Sequence, residues 1–145
     1  MISGKITLTM NPMIASASLA TVAELARVAR ASPGLDLLLL FGSRARSDAQ
    51  TGSDWDLGYL AQPQFDPPAL LAAIVEAIRS DRVDLVDLAR AGGLLRFRAA
   101  RDGQAVYEVR PRLAEQFCLE AAQFWCDASA VIERGYDDVL ADLKP

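Results

Sequence analysis

The residues of this chain whose types and spacing could do chemistry together lie between Phe41 and Asp56. Gly42 and Ser43 directly follow an apolar run, where a strand is expected to end and a polar turn to begin. Unpaired backbone N–H groups at such a turn can bind phosphate oxygens, glycine permits close approach, and the serine hydroxyl adds a donor. Arg46 follows three residues after Ser43 and could reach the same anion. The segment therefore predicts a phosphate-binding turn.

Two aspartates, Asp54 and Asp56, follow at positions i and i+2. On a strand this spacing directs both carboxylates to one face. Their Cα atoms would lie roughly 7 Å apart, so the two side chains could hold one divalent cation or flank two. Without a cation the two charges would repel each other, and ligation by oxygen alone favours Mg²⁺ or Mn²⁺.

A third acid is expected from the next strand, over residues 82–88. Asp84 and Asp87 would lie on opposite faces of that strand, so only one of them can join the pair. We favour Asp84, which precedes the apolar part of the strand, and Asp87 is the alternative. Three carboxylates beside a phosphate-binding turn are typical of in-line phosphoryl or nucleotidyl transfer. Because the chain has no histidine, Asp84 is also the candidate general base.

The order Gly-Ser, ten residues, Asp-x-Asp resembles the pattern of the polymerase-β-like nucleotidyltransferase superfamily. Within it, the chain is similar to the minimal nucleotidyltransferase (MNT) domains over about residues 19–110. The resemblance implies that one group of residues binds the substrate ATP. It also implies that three catalytic acids hold Mg²⁺, and two ions are expected. The nucleotide-binding residues implied are Gly42, Ser43, Arg46 and Ser53, and the acids are Asp54, Asp56 and Asp84.

The resemblance also implies a function and a partner. Bacterial MNT domains are similar to antitoxins paired with HEPN-domain toxins, so the implied reaction transfers AMP from ATP to a tyrosine of such a toxin. One alternative is adenylylation of a small molecule such as an aminoglycoside, which usually requires an added helical domain, whereas about 35 residues follow the core here. A second alternative is a non-catalytic antitoxin that acts by occlusion, and the intact set of acids argues against it.

Composition restricts the class of protein further. A chain of 145 residues, 52% hydrophobic and 23% charged, predicts one folded domain with its own core. With 15 basic and 19 acidic residues the net charge is −4, so no nucleic-acid partner is expected. No apolar run approaches the length of a membrane span and no leader-like segment is expected, which predicts a cytoplasmic protein. Cys118 and Cys126 are expected to be unpaired and buried.

The elements that must position these residues follow from apolar periodicity and turn signals. They predict an α+β fold, in which a small mixed sheet is flanked by helices. Strands are expected over residues 35–41, 54–59, 82–88 and 105–109, and helices over residues 19–31, from Asp66 onward, and from Pro111 to about Arg134. Gly135 is expected to end the last helix, whose aromatic residues Phe117, Phe124 and Trp125 predict core packing or partial exposure to a partner.

The predicted organisation has three parts. Residues 1–17 form an N-terminal extension, residues 18–110 the nucleotidyltransferase core, and residues 111–145 a C-terminal helix and tail of the same domain.

Overall fold

The computed structural model describes residues 16–46 and 52–142. These residues form a four-stranded mixed sheet with two helices packed on each face, so the predicted α+β class is confirmed. In chain order the elements are α1 (Ser16–Arg30), β1 (Leu35–Phe41), β2 (Trp55–Ala61), α2 (Pro67–Ile78), β3 (Val83–Asp87), α3 (Gly93–Asp102), β4 (Gln104–Glu108) and α4 (Leu113–Asp142).

The strand order is β3-β2-β1-β4, with β1 at the centre of the sheet. β1 runs antiparallel to β2 and β4, whereas β2 and β3 are parallel and are connected through α2, as a parallel pair requires. Phe41 lies opposite Asp56, and Asp56 lies opposite Asp84. The end of β1 and the beginnings of β2 and β3 therefore meet at one end of the sheet.

The leucine-rich strand β1 is buried on both faces. Leu38 and Leu40 pack with residues of α1 and α2, whereas Leu37 and Leu39 pack with residues of α3 and α4. A strand covered on both sides has no polar face, which explains why its sequence is a continuous apolar run rather than an alternating one.

Helix α2 begins as its sequence predicts. Asp66 is the N-cap, and its Oδ1 accepts a hydrogen bond from the backbone N–H of Ala69 at 3.3 Å. Pro67 and Pro68 occupy the first turn, where their missing N–H groups cost nothing. The helix ends at Arg79, which adopts a left-handed conformation with φ of 54°.

The predicted end of the last helix is wrong, because α4 continues through Gly135 to Asp142. A single glycine inside a helix costs only about 1 kcal/mol relative to alanine, so it lowers stability without ending the helix. Cys126, predicted to be buried, is exposed, whereas Cys118 is half-buried, and both thiols are unpaired as predicted. Burial raises the pKa of the Cys118 thiol.

The aromatic residues of α4 divide between core and surface. Phe117 is buried against the sheet, and Trp125 stacks on Phe97 of α3 with ring centroids 5.8 Å apart. Phe124 packs beside Gly93 but is 55% exposed. Core packing is therefore confirmed for Phe117, whereas Phe124 is exposed and its contact with a partner stays a prediction.

The predicted N-terminal extension, residues 1–17, lies outside the described residues except for 16 and 17, which belong to α1. No helix within the described ranges has the length and apolar character needed to cross a bilayer.

Candidate active site

Three aspartates come together at the end of the sheet where β2 and β3 begin. Asp56 is the second residue of β2 and is the register partner of Asp84 in β3, while Asp54 lies one residue before β2. Asp56 is half-buried, and Asp54 and Asp84 are exposed. Burial raises the pKa of the Asp56 carboxyl, and the charges of Asp84 and Asp54 raise it further. The carboxylate of Asp56 is thus close enough to those of Asp54 and Asp84 to be repelled by both.

Asp87, the alternative third acid, lies elsewhere. It is the register partner of Tyr59, on the opposite face from Asp56 and Asp84. Its Oδ1 accepts a hydrogen bond from the backbone N–H of Ala89 at 2.9 Å, which shapes the turn after β3. Burial, followed by the charge of Asp87, raises the pKa of Tyr59. The register of the parallel pair therefore brings Asp84, and not Asp87, next to Asp56.

The turn after β1 is held by backbone hydrogen bonds, in which the N–H groups of Ala45 and Arg46 both donate to the carbonyl of Gly42 at 3.2 Å. Gly42 has a φ of 72°, in the left-handed region that favours glycine. A Cβ at this position would collide with Oδ2 of Asp56 and lie 3.0 Å from its Cγ. Ser43 is half-buried within this turn. Because glycine lacks a Cβ, Gly42 leaves space for the carboxylate of Asp56. The sequence prediction was that this glycine would permit close approach of a phosphate.

Arg46 lies beside the acids. Its charge lowers the pKa of Asp56, against the larger effects of burial and of the neighbouring aspartates. Its Nη1 donates to Oδ2 of Asp102 at 3.2 Å, at the end of α3. Arg101 also donates to this carboxylate, and hydrogen bonding to the two arginines lowers the pKa of Asp102 despite its burial.

Ser53 is half-buried, and its carbonyl accepts two hydrogen bonds from the guanidinium of Arg44, at 3.1 Å from Nε and 2.7 Å from Nη2. The same guanidinium stacks 4.1 Å above the ring of Trp55, which is buried in the core on the α1 and α2 side. Arg82 donates to the carbonyl of Gly52 at 2.7 Å. Two arginines therefore anchor the segment that leads into Asp54.

Arg44 and Asp102 contact site residues but are not among the predicted site residues. The Gly-Ser-Arg sequence provided a weak signal for Arg44. Nothing local to Asp102 pointed to Arg46, because the two residues are 56 positions apart and meet only in the fold.

The donor set fits a hard divalent cation. In the part of the chain that the structure describes, no three acidic, cysteine or histidine side chains are arranged as a ready metal cage. All three candidate ligands are nevertheless carboxylates, the type that Mg²⁺ prefers, and two of them are exposed side chains able to adjust. A bound cation would also offset the repulsion that contributes to the raised pKa of Asp56.

Comparison with known proteins finds a family and related chains. The family model described as "Polymerase beta, Nucleotidyltransferase" matches residues 23–112, a range that contains every candidate site residue. The chain is 34% identical over 105 residues to the protein adenylyltransferase MntA of Aphanizomenon flos-aquae (strain 2012/KM1/D3). That similarity covers 61% of this chain and 69% of the relative.

Two solved structures share the fold. A chain from a crystal structure of a toxin–antitoxin with AMP-PNP has a TM-score of 0.67 and 26% identity, covering 82% of this chain and 98% of that one. A chain from the Shewanella oneidensis complex of a tri-AMPylated HEPN toxin with an MNT antitoxin has a TM-score of 0.64 and 25% identity. In that comparison 85% of this chain and 98% of the other are covered.

Proposed function

Since the chain belongs to the polymerase β nucleotidyltransferase family, we propose that it is an antitoxin that transfers AMP from ATP to a tyrosine of a HEPN toxin in the cytoplasm. The observation that carries the proposal is the meeting of Asp54, Asp56 and Asp84 beside the turn that begins at Gly42. A protein adenylyltransferase among its relatives and an AMPylated toxin in a related complex support the choice of nucleotide and acceptor.

The residues divide between nucleotide binding and proton transfer. The turn with Gly42, Ser43 and Arg46 would hold the phosphates of ATP, with Ser53 as a further contact. Asp54, Asp56 and Asp84 would hold Mg²⁺, two ions in this proposal, which neutralise charge on the phosphates when bound.

AMP transfer is a displacement at the α-phosphorus of ATP. The tyrosine oxygen bonds to the α-phosphorus, the bond between that phosphorus and the bridging oxygen of the β-phosphate breaks, and pyrophosphate leaves. Asp84 accepts the proton of the tyrosine hydroxyl, because it is exposed at the site and no histidine is available.

Delivery of the acceptor by another protein suits the shape of this site. Asp54 and Asp84 are exposed, so a side chain from outside can reach the acids. A tyrosine presented by a partner would meet them directly.

The experiment that tests the proposal compares aspartate-to-asparagine variants in the presence of the HEPN partner, ATP and Mg²⁺. Asp54→Asn, Asp56→Asn and Asp84→Asn should each slow AMP transfer by about 100-fold or more, because each removes a charged metal ligand. Intact-mass spectrometry of the partner measures the transfer as the gain of one or more AMP masses.

Asp87→Asn and Asp81→Asn are matched controls, since Asp87 lies on the opposite face of β3 from Asp84 and Asp81 is an exposed acid before that strand. Both should retain most of the activity. Wild-type rates in the Asp54 or Asp56 variant would refute the assigned metal site. An unmodified partner, together with efficient adenylylation of an aminoglycoside, would instead establish the small-molecule function.

A further inference from the structure

Asp102 ends α3 with a carboxylate that is only 11% exposed. Its Oδ2 accepts hydrogen bonds from Nη1 of Arg46 at 3.2 Å and from Nη2 of Arg101 at 3.0 Å. Its Oδ1 accepts from Nε of Arg101, also at 3.0 Å. One largely buried acid is thus shared by two arginines, and only Arg46 belongs to the turn that follows β1.

A second contact ties the same two segments together. The side-chain amide of Gln104 donates to the carbonyl of Ala45 at 2.9 Å, and both residues are buried. Between the two contacts lies Gly103, where a Cβ would collide with the carbonyl oxygen of Ala99. The junction between α3 and β4 therefore packs closely and holds positions 45 and 46 of the turn at two adjacent points.

Asp102 is shared by two arginines, so these three side chains carry two positive charges and one negative charge. The charge of Arg46 also acts on Asp56 at the candidate site. The Arg46 side chain remains 45% exposed while its Nη1 is held. An arginine fixed in this way loses less conformational freedom when it binds phosphate.

We propose that Asp102 is a positioning residue, which acts through Arg46 to hold that guanidinium in place for the phosphates of ATP. The inference rests on the proposed function, because it takes ATP as the ligand of the turn. Arg101 keeps Asp102 ionised, and Gln104 holds the backbone next to Arg46 through its hydrogen bond to the carbonyl of Ala45. These three residues together fix the position of Arg46.

A double-mutant cycle on ATP affinity tests the proposal. Calorimetry with the full chain, ATP and Mg²⁺ should show about tenfold weaker binding for both Arg46→Ala and Asp102→Ala, because each removes or releases a charge-assisted contact. The double variant should bind ATP no more weakly than Arg46→Ala alone. Asp102→Asn, which preserves an acceptor for Arg46, should bind more tightly than Asp102→Ala.

The cycle separates positioning from a general effect on folding. If Asp102 only stabilised the fold, Asp102→Ala would weaken ATP binding as much in the Arg46→Ala background as in the wild type. Additive losses would therefore overturn the proposal, as would unchanged ATP affinity in Arg46→Ala. If Asp102→Ala does not fold, Asp102→Asn replaces it in the cycle under the same criterion.

Glu24→Ala is the matched control. It breaks another arginine–carboxylate pair, the exposed contact of 2.8 Å between Arg27 and Glu24 on α1, and should leave ATP affinity unchanged. Failure of this inference differs from failure of the proposed function. Additive losses with normal AMP transfer refute only the positioning by Asp102, whereas a wild-type chain that does not bind ATP refutes the proposed function itself.

Discussion

Gly42 is restricted to glycine by two independent features, a φ of 72° and the carboxylate of Asp56 in the space that a Cβ would occupy. Gly34 shares only the first of them. Its φ is 84°, but the nearest atom to a Cβ built there, the Cβ of Phe65, would be 3.6 Å away, an ordinary contact. Substitution of Gly34 therefore shows the effect of backbone strain alone. Substitution of Gly42 adds the displacement of Asp56, a candidate metal ligand.

We expect Gly34→Ala to destabilise the protein by about 1–2 kcal/mol, the cost of a left-handed alanine, and to leave AMP transfer intact. Gly42→Ala should cost at least as much and should also abolish transfer, because Asp56 must move. Urea denaturation gives the free energies of unfolding, and the mass gain of the partner gives the activity. Full activity in Gly42→Ala would show that the position of Asp56 is not critical.

Single residues also show how much of the site could be predicted from the sequence. The spacing of Asp54 and Asp56 was sufficient to predict that they would lie close together, because alternation along a strand is a local property. The choice between Asp84 and Asp87 required the register of the β2–β3 pair, which the sequence does not encode locally. The contact between Arg46 and Asp102 joins segments 56 positions apart, so no local pattern could have predicted it.

Among the helices and strands, those with strong terminal signals were predicted best. β1 matches its predicted range, and α2 begins at its Asp-Pro-Pro cap, because these ends are set by local chemistry. The predicted α4 is too short, because a lone glycine does not end a helix. No left-handed turn or proline accompanies Gly135, and these are the features that end a helix decisively.

Two substitutions at Gly135 test the continuity of α4. A Cβ there would meet no atom within 4 Å, so Gly135→Ala should raise the free energy of unfolding by up to about 1 kcal/mol through helix propensity alone. Gly135→Pro should remove helix beyond this point, because proline lacks the N–H and clashes with the preceding turn. Far-UV circular dichroism measures helix content, and equal content in all three proteins would place the end of α4 before residue 135.

For the molecule as a whole, the candidate site places three negatively charged carboxylates at one end of the sheet. The net charge of the chain is already −4. Repulsion among Asp54, Asp56 and Asp84 opposes folding when no cation is bound. If Mg²⁺ and ATP bind only the folded state, the cation offsets this repulsion, and the free energy of binding adds to the stability of the folded state. Thermal stability should therefore report occupancy of the site without any partner protein.

We expect Mg²⁺ and ATP together, at about 100 times the dissociation constant, to stabilise the wild-type chain by about 2.7 kcal/mol, a rise in Tm on the order of 10 °C. Asp56→Asn should melt at or slightly above the wild-type temperature without ligand, because one repelling charge is gone. The same variant should gain little from Mg²⁺ and ATP, because it has lost a ligand. Scanning calorimetry with and without the ligands measures both effects. A lower Tm of unliganded Asp56→Asn would show that repulsion among the acids is not significant, and an undiminished rise with Mg²⁺ and ATP would place the metal away from Asp56.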